Sequence, residues 1–132
     1  MVRILIAEDD MVSRKLLWKV LAEFGECDLV INGMEAIDAF LMAIKDKEPY
    51  DLVCLDIMMP RVDGIQVLKT IRELEVQYSL KKKSKVVMTT ALAETEVVDD
   101  AFQKGADAYA TKPLDIDKLI EVLRNLELVK QE

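Results

Sequence analysis

Leu52-Val53-Cys54-Leu55-Asp56-Ile57-Met58-Met59-Pro60, with Asp63-Gly64 just beyond, is the stretch on which the reading of this chain turns. A short apolar run bounded by polar residues suits a strand covered on both faces. The carboxylate where it stops is held rigidly by that strand, while the loop beyond admits a ligand. Asp56 is therefore a candidate nucleophile or metal ligand. The pattern recurs on either side: Arg3-Ile4-Leu5-Ile6-Ala7 runs into Glu8-Asp9-Asp10, Val86-Val87-Met88 into Thr89-Thr90-Ala91, and Ala108-Tyr109-Ala110-Thr111 into Lys112-Pro113. Acids, hydroxyls and a base thus collect at the ends of strand-like segments.

Helical spacing fills the intervals. Leu16, Leu17, Val20, Leu21 and Phe24 recur at helical positions after the first strand (Val2 to Ala7), with Gly25 placed to end that helix. Cys27 to Ile31 reads as a second strand closed by Asn32-Gly33, and Ala36, Ile37, Phe40, Leu41 and Ile44 as a helix before Pro49. After Asp56 the spacing predicts a helix over about 64–76 with Ile65, Leu68, Ile71 and Leu74 inward. Val97, Val98, Ala101 and Phe102 mark another, stopped at Gly105, and a last helix spans about 115–128. Five strand-helix units imply an α/β fold with a parallel sheet and helices on both faces, because parallel neighbours need crossover connections. Ligands of such sheets sit beyond the carboxyl ends of the strands, where the strand order reverses. Spacing alone leaves that order open.

Bulk properties narrow the classes of function. The 132 residues are expected to form one domain over 1–132; with 52% hydrophobic and 33% charged residues, 4 Gly and 3 Pro, no long flexible linker is apparent. No apolar stretch approaches the roughly 20 residues of a membrane span, and the N-terminus turns charged at Glu8, too early for a signal peptide, so a cytoplasmic protein without membrane insertion is expected. Cys27 and Cys54 lack metal-site spacing and read as buried free thiols. A net charge of −7 disfavours direct contact with nucleic acid, and Lys81-Lys82-Lys83 with Lys85 reads as a solvated loop. The dispersed Met residues read as core filler or loop contacts.

Taken together, Glu8-Asp9-Asp10, Asp56 with Pro60 and Asp63-Gly64, Thr90-Ala91 and Lys112-Pro113 resemble the receiver domain of two-component response regulators, across Val2 to about Leu128. The resemblance implies a flavodoxin-like (βα)5 doubly wound sheet of five parallel strands in the order 2-1-3-4-5. It implies phosphorylation of Asp56 with Mg2+ held by Glu8 through a water, by Asp9 directly, by Asp56 and by the backbone carbonyl of Met58. Thr90 and Lys112 would assist, and Thr90 with Tyr109 would form the switch. The chain has no His, so the donor would be a separate histidine kinase or histidine phosphotransfer protein. The response would reach a downstream protein through the surface of the fourth helix, fifth strand and fifth helix. The protein would be a signalling domain, catalysing only its own phosphorylation and autodephosphorylation.

The chemistry has its own physical grounds. A carboxylate can accept a phosphoryl group as a mixed anhydride, but attack on a phosphate is opposed by like charge, and Glu8 and Asp9 would worsen this without a hard cation. Magnesium prefers oxygen ligands alongside a phosphate. Lys112 offers charge to another phosphoryl oxygen, Thr90 offers a hydroxyl, and Ala91 leaves room for the phosphate. Helix capping would also explain acids after the first strand, and Asp10 is assigned that role alone. Thr89 is the register competitor of Thr90.

Competing classes meet obstacles. A phosphatase of the haloacid-dehalogenase type needs a second Asp two residues after the nucleophile, where Met58 stands. A flavin module needs a Ser/Thr/Gly-rich phosphate loop after the first strand, where Glu8-Asp9-Asp10 would repel a phosphate. A receiver acting as an unphosphorylated adaptor would not need the complete acid, Thr and Lys set. Met58 and Leu92, apolar at positions flanking the path of the hydrolytic water, suggest a long-lived phosphorylated state.

Overall fold

In the computed structural model, which describes residues 2–91 and 95–129, strands and helices alternate along the chain. They run β1 (Val2–Ala7), α1 (Met11–Leu21), β2 (Gly25–Val30), α2 (Gly33–Lys45), β3 (Leu52–Asp56), α3 (Gly64–Gln77), β4 (Lys85–Thr90), α4 (Thr95–Gln103), β5 (Ala108–Thr111) and α5 (Ile116–Asn125). Every strand pairing is parallel, in the order β2-β1-β3-β4-β5, which is the order the resemblance implied.

β3 is buried along its whole length, so its side chains divide between two cores according to the two-residue period of a strand. Val53 and Leu55, with Leu5, Val86 and Met88, pack against Phe40 of α2, Leu68 and Ile71 of α3, and Ala101 of α4. Leu52 and Cys54, with Ile4, Ile6 and Val87, pack against Leu17 and Leu21 of α1 and Leu119 and Leu123 of α5. Each buried Leu or Ile contributes about 1.5–3 kcal/mol relative to exposure, so the two apolar faces of the sheet drive the layering. Cys54 is a buried free thiol and Cys27 a partly buried one.

The chain leaves β1 outward to β2 and returns on the other side of β1 to form β3. The carboxyl ends of β1 and β3 are therefore neighbours, and the register Ala7↔Leu55 sets Glu8 beside Asp56. Gly64 closes the arrangement from behind. A Cβ there would lie 2.1 Å from the carbonyl oxygen of Asp56, so only glycine lets the start of α3 press against this strand end. The Gly64 amide donates to Ile57 O at 2.8 Å, and Asp63 caps α3 by accepting from Gln66 N.

Three boundaries differ from the periodicity. Gly25 does not end α1, which stops at Leu21 with Ala22 as its cap; Gly25 opens β2, where a Cβ would lie 2.0 Å from Val2 O. Phe24 accordingly lies past the helix, its amide donating to Leu21 O. α5 ends at Asn125 rather than near Leu128, because Glu127 takes a left-handed backbone with φ 61° and the Leu128 amide turns back to Leu123 O.

At the opposite end of the sheet, Arg72 of α3 donates to Glu75 Oε1 (2.7 Å), Asp107 Oδ2 (2.9 Å), Ser84 O and Gly105 O. Glu75 is fully buried there, its other oxygen accepting from Ser84 N at 2.7 Å. Among the described residues, no helix is long and apolar enough to cross a membrane.

Candidate functional site

The strand ends carry the candidate groups into one shallow basin. Glu8 and Asp56 are buried, and Asp9, the next residue after Glu8, is exposed. Carboxylate oxygens of the three lie within 4.8 Å of one another. Lys112, at the end of β5, reaches in and places Nζ 2.6 Å from Glu8 Oε1 and 3.3 Å from Asp56 Oδ2. The other Asp56 oxygen accepts from the Met58 amide at 3.1 Å. When ionised, three carboxylates and one ammonium leave a net charge of −2 in this basin.

That charge is expensive. Burial, reinforced by the charge of Glu8 and by hydrogen bonding with Glu8 and Asp9, pushes the Asp56 carboxyl up to about 7, with Lys112 pulling the other way. Burial alone would lower the Lys112 ammonium, but Glu8 and Asp56 outweigh it and hold Lys112 protonated above its ordinary value. A cluster of hard oxygen donors that reaches an uncompensated double negative charge once Asp56 ionises fits a divalent cation of the magnesium or calcium class.

Thr90 is fully buried at the end of β4, its carbonyl accepting from the Lys112 amide at 2.8 Å. Asp10 caps α1, accepting from Ser13 N (3.0 Å) and Ser13 Oγ (2.7 Å), as its separate assignment anticipated. Tyr109 stands outside the basin, half-exposed on β5, with its ring edge-on to Phe102 of α4 at 6.0 Å and 83°. The Met58 side chain is 59% exposed and leaves its backbone to face Asp56. Leu92, paired with Met58 in the sequence reading, lies outside the described residues.

Residues 4–124 match the family described as the response regulator receiver domain. The chain belongs to that family. This receiver is 34% identical over 122 residues to the chemotaxis protein CheY of Treponema pallidum (strain Nichols), covering 90% of this chain and 78% of that protein. It is 32% identical over 124 residues to CheY of Bacillus subtilis (strain 168), covering 92% and 93%. Among solved structures it resembles a chain of the CheX-CheY-BeF3-Mg+2 complex from Borrelia burgdorferi, with a TM-score of 0.83 and 30% identity over 98% of this chain and 90% of that one. It is thus a signalling domain of two-component systems, with the doubly wound architecture of that family.

Two contacts of this receiver's basin escaped the sequence. Thr89, left as a competitor of Thr90, donates from Oγ1 to Glu8 Oε2 at 3.2 Å. Arg14, one turn into α1, donates from Nη1 to the carbonyls of Glu8 (2.9 Å) and Asp9 (3.3 Å). The only hint of Arg14 was its place on the helix that follows the acids.

Proposed function

We propose that this receiver accepts a phosphoryl group on Asp56 from a phosphohistidine donor and relays the event to a partner protein through the face formed by α4, β5 and α5. The observation that carries this reading is the bridging of Lys112 between Glu8 and Asp56, which stations the cation beside the acceptor oxygen. An Asp56 oxygen attacks phosphorus, the bond from phosphorus to the donor imidazole nitrogen breaks, and the electron pair leaves with that nitrogen. Lys112 shifts from Glu8 toward a phosphoryl oxygen, and the Thr90 hydroxyl donates to another.

Glu8, through a water, Asp9, Asp56 and the Met58 carbonyl would hold Mg2+, the donor set fitting by charge and hardness. Bound Mg2+ supplies the positive charge that lets a carboxylate and a phosphate approach. Hydrolysis of the resulting acyl phosphate by water is the autodephosphorylation that resets the domain. The donor is a histidine kinase or histidine phosphotransfer protein, which places the exchange in the cytoplasm.

For the output, Phe102, Tyr109 and Ile116 are exposed at 42%, 42% and 44% on adjoining elements. A cleft of about 610 Å³ between β5 and α5, bordered by Tyr109, Thr111, Pro113, Lys118 and Val122, continues that surface. Movement of Thr90 toward the phosphoryl vacates space that Tyr109 enters, so a local charge event biases a two-state element. Addition of beryllofluoride, an acyl-phosphate mimic, with Mg2+ should shift backbone amides chiefly from Thr90 to about Leu119. Shifts confined to the loop after Asp56 would refute the relay.

A further inference from the structure

We infer that Thr89 is a positioning residue for the acidic basin, a second buried hydroxyl whose task is to hold Glu8 rather than to touch the phosphoryl group. The inference rests on the phosphoryl-acceptor reading above. β3 lies between β1 and β4, so Glu8 at the end of β1 and Thr89 on β4 flank the strand that ends in Asp56. Those outer strands are separated by two strand spacings, about 9–10 Å. The bond from Thr89 Oγ1 to Glu8 Oε2 (3.2 Å) therefore crosses at the level of Asp56, which pairs with Thr89 in register. The extra methylene of Glu over Asp supplies reach for this crossing.

The donors on Glu8 divide unequally between its oxygens. Oε1 accepts from Lys112 Nζ at 2.6 Å and from the Asp10 amide at 3.3 Å, whereas Oε2 is met by Thr89. Glu8 is fully buried, and a buried carboxylate needs its lone pairs met. When Lys112 follows the phosphoryl group, Glu8 gives up its shortest bond, and Thr89 is the side-chain donor that stays. It keeps the carboxylate aimed at the basin in both states of the domain.

Thr89→Val preserves shape and removes the donor, and Thr89→Ser restores it. The expected results are Mg2+ affinity, measured calorimetrically on the unphosphorylated protein, roughly tenfold weaker in Thr89→Val and within about twofold of wild type in Thr89→Ser. Unchanged or tighter binding in Thr89→Val would overturn the inference, and so would a loss in Thr89→Ser equal to that in Thr89→Val, since the hydroxyl would then not be the cause. Thermal unfolding and amide spectra establish that the variants are folded. Should Thr89→Val fail to fold, Thr89→Ala takes its place under the same criteria. Phosphoryl uptake by the wild type at Asp56 checks the underlying reading separately, so failure of the one is distinguishable from failure of the other.

Discussion

Replacing Asp56 by Asn should stabilise the metal-free protein, and increasingly so as the pH rises. Burial and the charge of Glu8 push the Asp56 carboxyl from 3.8 up to about 7. The folded state then holds its proton where the unfolded chain has released it, so stability is lost as pH rises from about 4 to about 7 and stays low above. At about 1.4 kcal/mol for each tenfold step in proton affinity, that interval caps the cost at about 4 kcal/mol, and charge sharing with Glu8 and Lys112 reduces it to roughly 2–3. Asn keeps an oxygen for the Met58 amide while removing the charge. For a domain of this size 1 kcal/mol moves the midpoint by roughly 3–5 °C, so Asp56→Asn should melt roughly 10 °C above wild type at pH 8 in chelator and close to it at about pH 4, where the unfolded chain also keeps its proton. Thermal unfolding by circular dichroism at the two pH values, with and without excess Mg2+, is the assay. Saturating Mg2+ should stabilise wild type by about 2.7 kcal/mol at a hundredfold excess over Kd and narrow the gap. Equal midpoints at pH 8, or a less stable variant, would refute the argument that charge crowding strains this basin.

Three other outcomes follow from separate contacts. Arg14→Lys keeps the charge and withdraws the Nη1 donor that the Glu8 and Asp9 carbonyls share, and Mg2+ affinity by calorimetry should fall roughly three- to tenfold; unchanged affinity would make Arg14 a bystander. Arg72→Ala leaves Glu75 buried without its cation and should cost roughly 3–5 kcal/mol in urea unfolding, while phosphoryl uptake by the folded fraction is unchanged. Met58→Asn places a polar group two residues after the acceptor and should shorten the life of the phosphorylated state roughly tenfold in dephosphorylation assays without a partner; an equal or longer lifetime would show that position 58 does not govern access of water.

The strand ends were legible because an apolar run that stops at a charge is a local signal. Leu52 to Asp56 is the clearest case, and the strands on either side of it repeat the form. Strand order was not legible from spacing, since parallel neighbours are joined by crossovers of similar length whichever way the chain turns; the family resemblance supplied it. Gly25 misled because glycine after a helical run reads as a stop, whereas its reason is the close approach of β1 to β2. Glu75 was invisible for a comparable cause: a charged helical residue reads as solvated until Arg72, one turn back on α3 and itself tied to Gly105 and Asp107 far along the chain, and the amide of Ser84 are seen to meet it. In the basin, residue types at strand ends announced Asp56, Glu8 and Lys112. The bond between Thr89 and Glu8 depends on side-chain direction across three strands, which no sequence spacing encodes.

Intact-mass spectrometry after incubation with acetyl phosphate and Mg2+ decides whether Asp56 is the phosphoryl acceptor. A single phosphoryl adduct is expected on wild type, none on Asp56→Asn, and loss of the wild-type adduct when Mg2+ is chelated. An equal adduct on Asp56→Asn would contradict that assignment.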